Sequence, residues 1–259
     1  MYIMIKVIKI GGNVIDNTTA LEAFQRDFAC MEGSKILIHG GGKIATQISQ
    51  KLGIKTVMVG GRRVTDHPTL DVVTMVYAGL INKNVVAALQ SYGCNAIGLS
   101  GADAGSITSH KRINKDIDYG YVGDVDRVDA AAIKKLTDSG FTPLFCSITH
   151  DGNGTLLNTN ADTVASSVAC GVASLEDVEL IFCFEKDGVL SCPDDDTSVI
   201  HHIDTAVYAS LKESGVISGG MLPKMENAFA ALKAGVKKVI ITSPAYITDQ
   251  NAPHTEIVL

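Results

Sequence analysis

The feature that most limits the fold of this chain is a regular alternation between short apolar runs and longer amphipathic stretches. The runs, rich in β-branched residues and typical of buried strands, are residues 3–10, 35–40, 95–100, 142–148, 178–184 and 237–242. The stretches, with the apolar spacing of helices and usually a final glycine, are residues 21–31, 43–53, 73–93, 130–140, 161–173 and 225–235. Strand followed by helix, repeated, predicts an α/β fold with a mostly parallel sheet covered on both faces.

Two segments interrupt this alternation. Residues 103–128 are polar and rich in turn-forming residues, and they predict a β-hairpin; residues 191–204 predict an acidic loop. Neither segment has the composition of a disordered linker. A stretch of small residues ends a helix near 172–178. We therefore place the boundary between two candidate lobes there, giving residues 1–174 and 175–259.

The charge balance excludes several classes of partner. The chain of 259 residues carries 22 Lys+Arg and 28 Asp+Glu, a formal net charge of −6. A nucleic-acid or anionic-membrane binder would present a broad basic face instead. No run approaches the ~18 apolar residues of a membrane span. The six cysteines are scattered without the spacing of a metal site, which favours reduced thiols in a cytoplasmic protein.

Glycine is the compositional clue to a site. The 25 glycines exceed the usual share of roughly 7%. Three clusters of them follow a strand or precede a helix: Gly11-Gly12, Gly40-Gly41-Gly42 and Gly219-Gly220. Backbone N–H groups at such turns, with a helix N-terminus behind them, favour bound anions. Each cluster alone is equally compatible with a tight turn.

The middle cluster also admits a dinucleotide-binding interpretation. Residues 40–45 match the G-x-G-x-x-A pattern after a strand. The acidic residue expected about 20 positions later is replaced by Arg62 and Arg63, which suit an NADP phosphate, so a reductase remains an alternative. Against it, the pattern is usually the first strand–helix turn of its domain. Neither a P-loop nor the protein-kinase motifs occur in the chain.

Two lysines beside glycine clusters carry most weight. Lys9 ends the first strand, and Lys224 begins the helix after Gly219-Gly220. Phosphoryl transfer needs positioning and neutralisation of charge, which lysines and glycine amides supply; a solvated surface charge is the alternative for each. Asp162 lies in a first helical turn behind the candidate N-cap Asn160. It either complements the helix dipole or holds the two ammonium groups in place.

No metal site is predicted. His201 and His202 lie near an acidic run, but adjacent side chains do not converge on one ion from a helix or strand.

Several motifs together carry a family resemblance. They are Lys-Ile-Gly-Gly (9–12), His-Gly-Gly-Gly (39–42), Arg-Val-Thr-Asp (63–66), Asn-Lys (82–83), Gly-Leu-Ser-Gly (98–101), Tyr-Val-Gly-Asp-Val (121–125), Asn-Thr-Asn-Ala-Asp (158–162) and Gly-Gly-Met-Leu-Pro-Lys (219–224). Their order and spacing resemble those of the acetylglutamate kinases, within the amino acid kinase family, over essentially the whole chain. The last two motifs are the specific ones.

The resemblance implies a three-layer αβα sandwich with an N-terminal lobe, which binds acylglutamate and forms dimers, and a C-terminal ATP lobe. It implies transfer of the γ-phosphoryl group of ATP to the side-chain carboxylate of N-acetyl-L-glutamate in arginine biosynthesis. Magnesium would ride on the nucleotide without a protein ligand. The implied catalytic residues are Lys9, Lys224 and Asp162; the implied substrate-binding residues are Gly41, Gly42, Arg63 and Asn158. The implied nucleotide-binding residues are Gly11, Gly12, Glu185, Lys186, Asp187, Gly188, Val189, Leu190, Val216, Ile217 and Ser218.

Three departures from the family pattern bear on specificity. The family's usual Asn-Gly-Leu-Arg is Gly60-Gly61-Arg62-Arg63 here, its Thr/Ser-Asp is Phe184-Glu185, and Lys43 follows the glycine triplet. The added cation Arg62 beside the acyl pocket motivates N-succinyl-L-glutamate as an alternative substrate.

The resemblance also bears on assembly and on rival functions. An N-terminal helical extension accompanies arginine-inhibited hexamers in this family, whereas this sequence starts close to its first strand, so we expect a homodimer without that feedback. Another substrate of the same family is one rival, and a catalytically silent amino-acid-sensing module is another. The silent module should have lost Lys9, Lys224 or Asp162, and all three are present.

Overall fold

The structure is a computed structural model that describes residues 4–259, so residue 3 of the first predicted strand lies outside the described residues. The strands are β1 (Ile5–Ile10), β2 (Lys35–His39), β3 (Val57–Val59), β4 (Arg62–Val64), β5 (Ala96–Leu99), β6 (Ile107–Lys111), β7 (Gly123–Val128), β8 (Thr142–Cys146), β9 (Ile148–His150), β10 (Leu156–Asn158), β11 (Val178–Cys183), β12 (His202–Ile203), β13 (Lys238–Thr242) and β14 (His254–Ile257). The helices are α1 (Gly12–Asp16), α2 (Thr18–Cys30), α3 (Gly42–Lys51), α4 (His67–Thr74), α5 (Asn82–Ser91), α6 (Ala130–Asp138), α7 (Ala161–Ala173), α8 (Thr205–Glu213), α9 (Met221–Lys233) and α10 (Ala245–Thr248). A π-helical segment, Met75–Ile81, joins α4 to α5, and a 3₁₀ turn spans Asp103–Gly105.

The main sheet has eight strands in the order β12-β14-β13-β11-β1-β2-β8-β5. Its last six strands are the six predicted from the apolar runs, and all of their pairings are parallel. Only β13 and β14 pair antiparallel within this sheet. The predicted fold class, an α/β sandwich around a mostly parallel open sheet, is therefore confirmed.

Alternate residues of the central strands face opposite layers of helices. In β1, Val7 belongs to one buried cluster, while Ile8 and Ile10 belong to the other. The first cluster includes buried residues of α7 and α9, and the second includes buried residues of α2, α4 and α5. Because side chains alternate along a strand, a strand that is apolar at nearly every position must be covered on both faces, and this fixes the three layers.

The shorter strands outside the main sheet form two smaller sheets. The polar segment 103–128 contains the predicted hairpin, since β6 pairs antiparallel with β7. These strands join β9 and β10 in a four-stranded sheet of order β10-β9-β6-β7, and β3 pairs with β4 in a separate ribbon. The sequence pattern missed β3, β4, β9 and β10 because each is only three residues long.

The helical stretch from α4 to α5 begins six residues before the predicted helix 73–93 and is strongly apolar. It runs from His67 to Ser91, 25 residues, and by length and mean hydropathy (1.5) it reaches the range of a membrane-crossing helix. Eight of its residues are nonetheless buried in the second cluster against the sheet: Leu70, Val72, Val73, Val76, Tyr77, Ile81, Val85 and Leu89. This helix is part of the protein core.

The candidate lobe boundary at 174/175 follows the end of α7 at Ala173. The sheet continues across it, because β1 of the first lobe pairs with β11 of the second from Ile5↔Val178 to Ile10↔Cys183. The two lobes thus share one sheet and both of the buried clusters.

Candidate active site

Two glycine turns lie side by side at the carboxyl end of the main sheet. β1 and β2 are parallel neighbours, with Ile10 paired to His39 at their last residues. Each strand runs directly into glycines, and α1 and α3 begin at Gly12 and Gly42. In open parallel sheets ligands bind beyond the carboxyl ends of the strands, and the first N–H groups of a helix lack intrahelical acceptors. This edge is therefore suited to an anion.

A cavity of about 240 Å³ opens at this edge. It is lined by Lys9, Ile10, Gly12, Gly40, Gly41, Gly42, Met58, Gly61, Arg62, Arg63, Tyr77, Val122, Ser147, Asn158, Thr159, Asn160 and Ala161. Seven of the predicted site residues are among them: Lys9, Gly12, Gly41, Gly42, Arg62, Arg63 and Asn158. The fold brings these residues together from four separate parts of the chain.

Asp162 stands between the two predicted catalytic lysines. Its Oδ1 lies 2.7 Å from Lys9 Nζ, and its Oδ2 lies 3.8 Å from Lys224 Nζ. All three side chains are less than a fifth exposed. Asn160 caps α7, because its Oδ1 accepts hydrogen bonds from the N–H groups of Asp162 and Thr163. The cap by Asn160 thus fixes the first turn of α7, from which Asp162 reaches both ammonium groups. Asp162 therefore lies where it can complement the helix dipole and also hold the two lysines.

The ionisation of this group of three follows from burial and mutual charge. Burial, the largest effect, favours the neutral acid, but the charges of Lys9 and Lys224 outweigh it and hold the pKa of Asp162 below its usual value. Burial lowers the pKa of Lys224, against the opposing attraction of Asp162. The Lys224 ammonium also lies 4.6 Å from the ring centroid of Phe184, a contact that favours the cation.

The glycines of the two turns differ in whether their backbone N–H groups are already hydrogen-bonded within the protein. The N–H of Gly11 donates to Cys183 O at 2.8 Å, so the sheet uses this group. Gly12 opens α1 and keeps the first N–H of that helix. Gly41 has φ +156°, and a Cβ there would lie 2.2 Å from Ile81 Cδ1. Only glycine therefore fits at this position.

Arg63 is held rigidly at the wall of the cavity. Its Nη2 donates to Gly42 O and to Thr46 Oγ1, both at 2.9 Å, and its Nη1 donates to Thr56 Oγ1 at 3.1 Å. These acceptors are neutral, and within residues 4–259 no carboxylate pairs with this guanidinium. Its positive charge is therefore left to attract an anionic ligand in the cavity.

Asn158 is tied to the same wall. Its Nδ2 donates to Thr65 Oγ1 at 3.0 Å, and that hydroxyl donates to Arg63 O at 2.9 Å. Its side chain is thereby oriented beside Arg63.

Arg62 adds a second cation to the cavity. It lines the cavity while facing the β6–β7 hairpin, where Arg112 pairs with Asp124. Burial and the positive charge of Arg112 lower the pKa of Arg62, and Asp124 and Tyr119 oppose them. Two guanidinium groups therefore share one nearby carboxylate.

The predicted nucleotide residues beyond the first glycine turn lie outside this cavity. Residues 185–190 follow β11, and 216–218 precede α9. Glu185 lies close enough to Lys224 for its charge to raise the pKa of that lysine. Val189 and Ile217 are buried in the core, and the Val189 N–H donates to Thr255 Oγ1 at 2.8 Å. The side chains of these two residues pack into the first buried cluster and do not line the cavity.

Sequence reasoning missed several residues that line the cavity, among them Met58, Tyr77, Ser147 and Thr159. Tyr77 lies within an apolar helical pattern, and Ser147 follows a buried strand, so nothing local marks either residue. Burial raises the pKa of Tyr77 against the nearby charge of Arg63. For a metal, the described residues offer no group of three or more His, Cys, Asp or Glu side chains.

Known proteins resemble this chain over most of its length. Residues 4–243 match the model of the amino acid kinase family. The acetylglutamate kinase of Cytophaga hutchinsonii is 55% identical over 236 residues, covering 91% of this chain and 89% of that protein. The acetylglutamate kinase of Bacteroides thetaiotaomicron is 51% identical over 243 residues, covering 94% and 95%. Among solved structures, smu.665 of Streptococcus mutans superposes with a TM-score of 0.78 at 26% identity, covering 98% of both chains.

Proposed function

Since the chain belongs to the amino acid kinase family, we propose that it transfers the γ-phosphoryl group of ATP to the side-chain carboxylate of N-acetyl-L-glutamate. The product is the acyl phosphate N-acetyl-L-glutamyl 5-phosphate, an intermediate of arginine biosynthesis. The observation that carries the proposal is the row Lys9–Asp162–Lys224 at the edge of a cavity that also holds the unpaired charge of Arg63. The named activity of relatives at 51–55% identity supports the same substrate.

The proposed chemistry is positioning and neutralisation of charge. A phosphoryl group in transfer spreads negative charge over its oxygens, and fixed cations and N–H donors stabilise that charge without reorganising. Lys9 and Lys224 approach it from two lobes and are held in place by Asp162. Gly12 and Gly42 contribute N–H groups at helix starts.

The cavity wall suits the acylated amino acid. Arg63 binds the α-carboxylate, Asn158 holds the acylamino group, and Gly41 and Gly42 face the reacting carboxylate. Every negative charge of the substrate then meets a fixed donor, which accounts for an anionic ligand bound by a chain with a net charge of −6.

The nucleotide is placed on the second lobe. Residues 216–218 precede α9, where Lys224 lies, and Glu185 of the loop 185–190 lies close enough to raise the pKa of Lys224. We propose that magnesium is carried on the ATP phosphates. We retain the division into residues 1–174 for the acylglutamate and 175–259 for ATP.

A hydroxamate assay for acyl phosphate with MgATP tests the function. Wild-type protein should form acyl phosphate from N-acetyl-L-glutamate, and not from glutamate, aspartate or carbamate. Lys224→Met should lower kcat by roughly 100-fold or more, since it removes one fixed cation from the transferring group. Lys233→Met, an exposed lysine at the other end of α9, is the matched control and should retain wild-type kcat. Absence of acyl phosphate with every acylated glutamate would support a silent sensing module instead.

N-succinyl-L-glutamate is a second candidate substrate, favoured by one observation. Arg62 lines the cavity near Arg112, and within residues 4–259 one carboxylate, that of Asp124, lies near both guanidinium groups. A second carboxylate on the acyl group would supply the missing anion. Arg62→Leu should then lower kcat/KM for the succinyl compound selectively, while Arg127→Leu on β7, an exposed arginine, should change neither substrate. A clear preference of wild-type protein for the acetyl compound would exclude this candidate.

We propose a cytoplasmic homodimer. All six cysteines are free thiols, as expected in a reducing compartment. Met75 and Leu80 of the π-helical segment expose 56% and 48% of their surface, and burying such apolar side chains favours association. Light scattering should report a dimer, and Met75→Lys with Leu80→Lys should shift it toward monomer.

A further inference from the structure

His39 is a fully buried histidine directly before the Gly40–Gly42 turn, and the proposed reaction gives it no task. It is the last residue of β2, with no exposed surface. Its Nδ1 lies 2.8 Å from Gly40 O, and its Nε2 lies 3.2 Å from Asn82 Nδ2. Both ring nitrogens are therefore engaged within the protein.

The partners of the ring determine its tautomer. Gly40 O accepts hydrogen bonds only, so Nδ1 must carry the proton. Asn82 Nδ2 donates to Leu144 O at 3.1 Å and also faces His39 Nε2, and Asn82 Oδ1 accepts from Lys83 Nζ at 3.1 Å. Lys83 Nζ is itself fixed by Gly98 O at 2.9 Å. The ammonium of Lys83 thus orients the amide of Asn82, and that amide requires Nε2 to be an acceptor.

The ring is also kept neutral. Burial, reinforced by the charge of Lys83, lowers the pKa of His39 to about 4, against the opposing hydrogen bond to Gly40. At neutral pH the imidazole is therefore a permanent Nδ1–H donor. It neither gains nor loses a proton in the working range.

This donor sets the direction of an N–H group in the cavity. The peptide bond between Gly40 and Gly41 is planar and trans, so its C=O and N–H point in opposite directions. Because His39 holds the Gly40 carbonyl on its own side, the Gly41 N–H points away from His39. Gly41 O accepts from Ala45 N at 3.0 Å in the first turn of α3, which in the same way turns the Gly42 N–H out of the helix start. Among residues 4–259 neither of these two N–H groups has an acceptor, and both glycines line the cavity.

We infer that His39, held by Asn82 and Lys83, is a positioning residue that aims the Gly41 N–H at the anionic oxygens of the reacting substrate. The inference rests on the proposed function for the identity of that substrate. His39 touches no reacting atom, and its effect passes through one peptide plane.

Two substitutions at His39 separate this role from packing. His39→Asn places an amide N–H close to the position of Nδ1, so it retains the donor to Gly40 O. His39→Leu fills similar space and has no donor. We expect His39→Leu to lower kcat/KM for the acylglutamate roughly 10- to 100-fold, as expected for a misdirected donor, with KM for ATP unchanged. His39→Asn should recover most of that loss. Urea unfolding of both variants measures any common loss of stability.

A spectroscopic measurement does not depend on activity. Glycine labelled with ¹³C at the carbonyl and with ¹⁵N gives carbonyl-to-amide correlations only for Gly-Gly pairs, whose second residues are Gly12, Gly41, Gly42, Gly61 and Gly220. The ¹⁵N shift of an amide responds to hydrogen bonding at the preceding carbonyl. In ligand-free protein the Gly41 signal should move in His39→Leu and stay near its wild-type position in His39→Asn, while Gly61 and Gly220 stay fixed.

The two readouts keep the inference and the proposed function apart. Equal kcat/KM losses in His39→Leu and His39→Asn, or wild-type values in both, would overturn the inference. So would an unmoved Gly41 signal in His39→Leu. A wild-type protein that makes no acyl phosphate would overturn the proposed function instead, and the Gly41 signal would still test the role of His39.

Discussion

At the scale of single residues, the site depends on charges that the fold holds against the cost of burial. Lys9 and Lys224 are mostly removed from water, and one carboxylate compensates both. Removing one partner of a buried ion pair leaves an uncompensated charge, which costs about 3–5 kcal/mol. Asp162 is therefore as important for keeping the lysines in the protein as for aiming them.

Asp162→Asn tests both consequences. The neutral amide keeps the shape but not the charge, so we expect kcat to fall roughly 100-fold or more and the free energy of unfolding to fall by about 3 kcal/mol. The hydroxamate assay and urea unfolding measure the two effects. Asp138→Asn, at an exposed carboxylate of α6, is the control and should change neither by much.

The pH dependence of stability has a definite sign. The pKa of Asp162 is lower in the folded protein, so its stabilisation is fully present above the unfolded value of about 3.9 and is lost as the pH falls through the folded value. Between pH 5 and 3 the free energy of unfolding of wild-type protein should fall more steeply than that of Asp162→Asn. Parallel pH curves for the two proteins would contradict this assignment.

At the scale of elements, the close approach of the π-helical segment to the second glycine turn shapes the cavity. Tyr77 and Ile81 pack directly over Gly41, leaving no room for a Cβ. The requirement for glycine at this turn is therefore imposed by a helix that is distant in sequence.

Gly41→Ala and Gly41→Ala/Ile81→Val form a matched pair. The added methyl group collides with Ile81 Cδ1, and Val lacks that atom. We expect Gly41→Ala to raise KM for the acylglutamate at least roughly tenfold, in proportion to one misplaced contact, and the double variant to recover part of it. If Ile81→Val gives no recovery, the steric explanation is wrong and backbone strain at φ +156° is the cause.

The amino end of the sheet depends on a different lysine. Lys35 Nζ donates to the carbonyls of Phe28, Ala29 and Met31 at the end of α2, at 2.6, 3.0 and 2.6 Å. Lys35→Met keeps the aliphatic stem but leaves these acceptors unpaired, so unfolding free energy should fall by about 2–3 kcal/mol. Lys51→Met, at the exposed end of α3, should change it little. Neither variant should alter kcat, because Lys35 begins β2 and the site lies at its other end.

At the scale of the whole molecule, the two proposed lobes form one structural unit. The residues proposed to bind acylglutamate come from the first lobe and Lys224 from the second, while β1 and β11 pair along their full length across the boundary. Asp162 connects the lobes by contacting a lysine from each.

Separating the chain at 174/175 should therefore disrupt both parts. Fragment 1–174 would expose the edge of β1 and half of a buried cluster, and exposed apolar strand edges aggregate. We expect it to be poorly folded by circular dichroism and size exclusion, and we expect co-expression with 175–259 to restore soluble, active protein. A monomeric 1–174 fragment that unfolds cooperatively would show two independent domains.

The sequence by itself determined the fold class, the six central strands and the order of the glycine turns, because these depend on local periodicity and on turn chemistry that neighbouring residues impose. It also singled out Lys9, Lys224 and Asp162 as chemically unusual. The three-residue strands β3, β4, β9 and β10 and the cavity residues Tyr77 and Ser147 carry no such local signal.

Only the tertiary structure decided which candidates meet. Asp162 reaches both lysines because α7 begins beside the end of β1 and the start of α9. In the sequence, 152 residues lie between Lys9 and Asp162, and 61 lie between Asp162 and Lys224. The tertiary structure also assigned the Gly11 N–H to the sheet, buried Val189 and Ile217 in the core, and connected Lys83 to the Gly40 carbonyl through Asn82 and His39. Such contacts join residues far apart in the chain, so they are set by how strands and helices pack and not by any local pattern.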